Sequence, residues 1–206
     1  MANSSKPSDR EPRVLGRAAP WGNVADEELV QRALEGDRWA EEVLFRRHAP
    51  EVAATAARLL GNRADAEDVV QDTFVAALDE LSRLRDPRAV RAWLLRIAIR
   101  KVHRRFRRRR ILRALGLDRG AGDGLLESLA ADEVGAEGKA ELALLDRRLA
   151  ALPLALRTAW MLRHVDGRAL GEIAVACDCS LATVKRRIAR AQEAIGIQLD
   201  GGGADE

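Results

Sequence analysis

Tyrosine is missing from the 206 residues, and aromatic side chains make up only 3% of them. The core must therefore be built from aliphatic residues and alanine, which favours helices over sheets. There are two cysteines, Cys177 and Cys179. They lie too close in sequence for an ordinary bridge, so a disulfide framework is excluded. No apolar run approaches the roughly 18 residues of a membrane span. The N-terminus is polar and Ser/Pro-rich, without the apolar stretch of a signal peptide. These absences lead to the expectation of a soluble, cytoplasmic protein with no membrane insertion.

Enzymatic signals are missing too. The sequence has no phosphate-cradling glycine loop, no His-Glu metal motif and no nucleophile beside a base. His48, His103 and His164 are scattered. His164 with Cys177 and Cys179 could form a metal or redox site, but a C-x-C pair with one distant histidine is a weak signal. Small buried cysteines around a turn are the preferred alternative. The expectation is a non-enzyme without cofactor or metal.

Charge is plentiful, at 33% of residues, and unevenly placed. The net charge of +3 hides a run in which Arg100, Lys101, Arg104, Arg105, Arg107, Arg108, Arg109 and Arg110 put eight cations into eleven residues. Acids dominate soon after, from Asp118 to Glu141. Such segregation points to a polyanionic partner for the basic segment.

The apolar pattern is helical throughout, with no strand-type alternation and no internal repeat. Residues 1–24 read as a flexible arm rich in Ser, Pro, Gly and charge. Asp26 is a plausible first N-cap, followed by a helix to Leu34 and, after Gly36-Asp37, a second one up to Gly61. A third helix opens at Asp65, with Asp68 placed as in a capping box. Its apolar stripe is Val69, Val70, Thr73, Phe74, Ala77, Leu78 and Leu81. Pro87 breaks the pattern by disfavouring helix at Asp86, and a fourth helix runs from about Arg88 to Arg110. Six glycines between Leu115 and Gly138 mark a linker. The chain thus reads as an arm (1–24), a helical unit (25–112), a linker (113–139), a second helical unit (140–200) and a tail (201–206). The fold class is all-α, two small helical domains on a flexible linker.

Three features carry function. The last two helices read as a helix-turn-helix, with Ala169–Ala176 as support, Cys177–Cys179 as turn and Ser180 as cap of the recognition helix, which continues to about Leu199. Placing Val184, Ile188, Ala191 and Ile195 inward turns Thr183, Arg186 and Arg190 outward, with Lys185 and Arg187 on the flanks. Arginines there can read guanine, and Lys or Ser/Thr can hold phosphates. A helical hairpin with a solvated basic face is the bland alternative.

The basic helix is the second feature. Its cations repel one another unless anions sit close. If about six contact phosphates, affinity falls roughly a thousandfold between about 50 and 200 mM salt. Trp93 and Phe106 could stack on an unpaired base, or Trp93 could simply hold the core. Contact with RNA or a membrane surface would explain the run equally well. The third feature is the acidic outer face of the third helix, with Glu67, Asp68, Gln71, Asp72 and Asp79. It is either a solvated face or a protein-docking face, since it cannot serve DNA.

The stretch DAEDVVQDTFVAAL, followed by LRDPRAVRAWLLRIA and a basic tail, resembles region 2 of extracytoplasmic-function (ECF) sigma factors of bacterial RNA polymerase. LPLALRTAWMLRHVDGRALGEIAVACDCSLATVKRRIARAQEAI resembles their region 4. The resemblance implies a factor that binds core polymerase, recognises −10 and −35 promoter elements and aids melting. It implies that Asp65, Asp68, Gln71, Asp72 and Phe74 meet the clamp of the largest polymerase subunit. The second unit would reach the flap of the second-largest one. The loop from Leu84 to Ala89, with Arg85, Asp86 and Arg88, would capture a flipped −10 base. Extracting that base costs a few kcal/mol. Trp93, Arg96, Arg100, Lys101, Arg104, Arg107 and Arg108 would hold the −10 strand and upstream duplex. Ser180, Thr183, Lys185, Arg186, Arg187 and Arg190 would contact the −35 element. A separate anti-sigma factor is a further implied partner.

Four positions depart from the family pattern. Arg100 and Arg104 stand where Asn and Asp are frequent, so no −10 preference is inherited. Asp178 replaces a turn glycine, a substitution that left-handed geometry tolerates. Ala169 replaces a Ser or Thr cap, at a cost of about 1 kcal/mol. Two other readings compete with this one. A stand-alone helix-turn-helix repressor would leave the third and fourth helices without a purpose. A Cys/His enzyme or redox sensor is the other.

Overall fold

The computed structural model describes residues 24–115 and 136–196. All regular structure among them is helical. The arm expected over residues 1–24, most of the linker and the tail lie outside the described residues.

Helix α1 (Asp26–Leu34) begins after an extended Ala25 that offers no side-chain cap. Asp26 is not the cap expected of it. It is the first helical residue, and its carboxylate accepts from Arg47 at 2.5 Å and stands 3.1 Å from His48 Nε2. Helix α2 (Arg38–Leu60) is capped by Asp37, which accepts the Trp39 N–H at 2.9 Å. It stops at Gly61, whose φ of +65° suits a residue without Cβ.

Helix α3 spans Arg63–Glu80, two residues earlier than expected. Asn62, not Asp65, is its cap, accepting the Asp65 N–H at 3.0 Å. That frees the Asp65 and Asp68 carboxylates for other partners. Short 3-10 turns at Leu81–Arg83 and Pro87–Ala89 flank the break at Pro87. Helix α4 (Val90–Ala114) then runs a turn beyond the expected end.

The second unit starts earlier than residue 140, with α5 over Ala136–Ala151. Pro153 separates it from α6 (Leu154–His164), and α7 (Leu170–Ala176) and α8 (Leu181–Ile195) follow. Helix α8 ends at Gly196, φ +68°, short of Leu199.

Two apolar clusters organise the molecule. One lies within the first unit, where Leu29, Val30, Val43, Leu44, Phe74, Trp93 and Ile97 pack between α1, α2, α3 and α4. The other is shared. It starts with Leu59, Ala66, Val69, Leu95, Ile99 and Val102, and continues without interruption into Leu149, Trp160, Leu162, Ile173, Val184 and Ile188. Each such aliphatic side chain contributes about 1.5–3 kcal/mol on burial. Truncating Leu162, which is fully buried, should cost about 2–5 kcal/mol. The glycine-rich division of the sequence therefore does not divide the core.

Candidate nucleic-acid and protein interfaces

Helices α7 and α8 meet through a turn in which Asp178 adopts φ +50°, the left-handed geometry expected of it. Ser180 caps α8, its hydroxyl accepting the Thr183 N–H at 3.2 Å. The four inward residues are those expected: Val184, Ile188, Ala191 and Ile195 are all buried. Lys185, Arg186 and Arg190 are exposed on the opposite side, and Thr183 and Arg187 are half-buried. Arg187 leans back to Cys179, its guanidinium 3.5 Å from Sγ. Ala169 indeed offers α7 no side-chain cap, but its N–H donates to Glu172 at 3.0 Å. The lost half of the capping pair is thus partly offset.

Both cysteines are free and half-buried. Burial first, then the neighbouring Cys179, pushes the Cys177 thiol up to about 12, which makes it a poor nucleophile and ligand. No group of three His, Cys, Asp or Glu side chains suited to a metal occurs among the described residues.

On α4 the cations divide into two sets. Arg105 lies 2.7 Å from both Asp65 and Asp68, and Arg109 also pairs with Asp65. Arg100 stands 4.0 Å from Glu80. These acids of α3 are the internal anions that let so basic a helix persist. Lys101, Arg104, Arg107, Arg108 and Arg110 have no carboxylate partner among the described residues, and all but the half-buried Lys101 are exposed. An open groove of about 390 Å³ is lined on one side by Arg100, Lys101, Arg104 and Arg107 and on the other by Ala176–Asp178. Arg96, half-buried, points to Asp178 at 3.9 Å.

Of the two alternatives for Trp93, the structure shows the core one. Trp93 is only 6% exposed and belongs to the first core, so it does not offer a stacking face here. Phe106 carries the guanidinium of Arg157 4.5 Å above its ring. In the preceding loop Arg85, Asp86 and Arg88 are exposed; Asp86 accepts the Arg88 N–H at 3.0 Å, and Arg88 pairs with Glu27 at 2.9 Å.

The outer face of α3 presents Glu67, Asp68, Gln71, Asp72 and Asp79 as expected. Asp65 and Phe74, which the resemblance alone groups with the polymerase contact, are buried, Phe74 in keeping with its place on the apolar stripe. Asp65 turns to α4, and Phe74 packs edge-on against Phe45 with ring centroids 4.7 Å apart. The sequence reading missed that the face is also apolar. Val75 and Leu78 are 58% and 47% exposed, and Phe45 of α2 joins them at 42%. Leu78 falls on the helical stripe but opens to solvent. Val75 lies off the stripe, four residues after Gln71, which was the available clue.

Comparison with known proteins fits both halves. Family profiles for sigma-70 region 2 and sigma-70 region 4 match residues 44–111 and 142–195. The RNA polymerase sigma-H factor of Pseudomonas aeruginosa is 32% identical over 180 residues, covering 84% of this chain and 93% of that one. The ECF RNA polymerase sigma-E factor of Escherichia coli K12 is 33% identical over 178 residues, with the same coverage. Among solved structures, CnrH in complex with the cytosolic domain of CnrY superimposes with a TM-score of 0.58 at 30% identity, over 87% of this chain and all of that one. The sigma factor RpoE of Bartonella quintana, solved with the anti-sigma factor NepR, shares the fold at a TM-score of 0.57 and 24% identity, over 79% of this chain and 99% of that one. With both regions present in order and relatives matched over most of their length, the chain belongs to the ECF sigma factors, non-enzymatic initiation factors that bind core RNA polymerase and promoter DNA and direct transcription to specific promoters.

Proposed function

We propose that the chain divides promoter recognition between its two units, residues 25–112 holding the −10 element and residues 140–200 reading the −35 element. The observation that carries this is α8. Its buried stripe of Val184, Ile188, Ala191 and Ile195 leaves Lys185 and Arg186 exposed in the first half of the helix and Arg190 exposed one turn further on, on the face a recognition helix turns to the major groove. Arg186 and Arg190 are assigned to base edges; Ser180, Thr183, Lys185 and Arg187 to phosphates.

On α4, Lys101, Arg104, Arg107 and Arg108 are assigned to the phosphates of the separated strand and upstream duplex. Arg85, Asp86 and Arg88 of the exposed loop are assigned to the flipped base. Trp93 is assigned a supporting role, because it is held in the core. The face with Asp68, Gln71, Asp72, Val75 and Leu78 is assigned to the polymerase clamp. Asp65 and Phe74 shape it from beneath, and the second unit contacts the flap. An exposed apolar patch edged by acids suits a protein partner and repels DNA.

CnrH was solved with CnrY bound, and an anti-sigma factor is proposed for this chain as well. Among the described residues no helix is long and apolar enough to cross a membrane, and action in the cytoplasm follows from the polymerase partnership. The test is run-off transcription with purified core polymerase on a library of promoter fragments. Starts that share −10 and −35 sequences and depend on the protein support the division. DNA binding without core-dependent starts refutes it.

A further inference from the structure

Between α4 and the turn after α7 lies a groove whose charge is almost all of one sign. Arg100, Lys101, Arg104 and Arg107 line one wall, and the turn with Cys177 and Asp178 lines the other. Its volume of about 390 Å³ falls in the range of small-molecule sites, about 300–1,000 Å³. Asp178 is the single carboxylate among the lining residues, and it faces Arg96 at 3.9 Å. Arg100 stands 4.0 Å from Glu80, while Lys101, Arg104 and Arg107 have no carboxylate partner among the described residues.

Positive charge reaches this groove from more than one helix. Burial first, then the charges of Arg187 on α8, Arg107, and Arg157 on α6, holds the His103 ring below the usual histidine range. His103 also lines the groove, and it adds no charge of its own at neutral pH. Cations gathered this closely repel one another, and an anion between them offsets the repulsion. Their spacing selects the kind of anion. Arg100, Arg104 and Arg107 follow at i, i+4 and i+7 on one face of α4, over a rise of about 10 Å. A lone phosphate reaches one or two of these guanidiniums. A linear triphosphate reaches all three, and each can bind a phosphate through paired N–H donors.

We propose that the groove is a binding site for a linear triphosphate, carried either by a nucleoside or by free polyphosphate. Arg100, Arg104 and Arg107 take the phosphates, and Lys101 supplies a further charge from the same wall. With a nucleoside attached, its sugar or base rests against Ile99, Ala176 and Cys177. The site stands independently of the promoter reading, because its readout is the binding of a small anion to the free chain.

Isothermal titration calorimetry of the full chain with sodium tripolyphosphate tests it. One site per chain is expected, with an affinity at least about tenfold above that for sulfate at equal ionic strength. Arg104→Ala and Arg107→Ala should each weaken binding about three- to fivefold. Arg110→Ala, which removes the same charge from the same helix outside the groove, should change it less than about twofold. Asp178→Asn removes the one lining carboxylate and keeps a residue that tolerates the left-handed turn. It should tighten binding about threefold. ATP in place of tripolyphosphate identifies the source: tighter binding points to a nucleotide, equal or weaker binding to free polyphosphate. Affinity no greater than for sulfate overturns the proposal, as does an equal loss in Arg110→Ala. Unchanged or weaker binding by Asp178→Asn does so too.

Discussion

Arg157 of α6 completes the C-terminus of α2, donating to the Leu59 carbonyl at 3.2 Å while its guanidinium lies 4.5 Å over the ring of Phe106 on α4. One side chain thus ties three helices, and does so across the boundary between the two units. A cation at a helix C-terminus is favoured by the unpaired carbonyls there, and the aromatic face adds a further attraction.

Arg157→Ala should therefore lower stability by about 2–4 kcal/mol, combining a lost charge-assisted hydrogen bond with lost packing. Arg157→Met keeps most of the volume and removes a buried charge, so it should cost markedly less. Urea denaturation followed by circular dichroism compares the two. Equal losses would show that the carbonyl bond, not the packing, carries the effect.

Readout by α8 predicts a contrast between neighbours. Arg186→Ala should relax preference at one −35 position and cost about 1–3 kcal/mol on the preferred sequence. Lys185→Ala should weaken all sequences alike. Binding of the full chain with core polymerase to fragments varied one base at a time distinguishes them. If Arg186→Ala weakened every fragment equally, its base-reading role would be lost.

What could be read from the sequence was what depends on short-range pattern. The stripe of α8, the Ser180 cap, the left-handed Asp178 and the break at Pro87 all follow from residues within a few positions of one another, and each stands where expected. Capping was misread twice, at Asp26 and Asp65, because an acid near a helix start suits the dipole equally from inside the first turn. Asn62 and the extended Ala25 decided the matter, and Asp65 found Arg105 and Arg109 forty or more positions away. Long-range pairing of that kind leaves no local trace. The same holds for the contact between the two units, where partners such as Thr55 and Asp166 are 111 residues apart. A glycine-rich linker signals that two units can separate, and says nothing of whether their surfaces match.

The split among the α4 cations predicts which of them set salt dependence. Arg104 and Arg107 have no carboxylate partner among the described residues, so each can give up a counterion to DNA. Alanine at either position should reduce the slope of log K against log salt by about one. Arg105 and Arg109 are already paired with Asp65. Arg105→Ala should leave the slope nearly unchanged and instead lower thermal stability. A salt titration of promoter binding by the holoenzyme, variant by variant, checks the division.

Acid should weaken the fold through His103. Burial, followed by the nearby charges of Arg187, Arg107 and Arg157, holds its ring below the usual histidine range. The unfolded chain, with an ordinary value near 6.5, then takes up its proton first as the pH falls. Stability is retained above about pH 6.5 and is lost below it, by at most about 1.4 kcal/mol at pH 5.5 for this one group. His48 and His164 shift in the same direction, in each case chiefly through burial. Asp166, raised by burial against the pull of Arg58 and Thr55, acts oppositely, since its protonation is easier in the folded state. The wild-type melting temperature should fall between pH 7.5 and 5.5, and His103→Gln, which keeps a polar partner for Thr158, should show a smaller fall. Equal falls in the two proteins would remove His103 from the account and leave the acid sensitivity to the other two histidines.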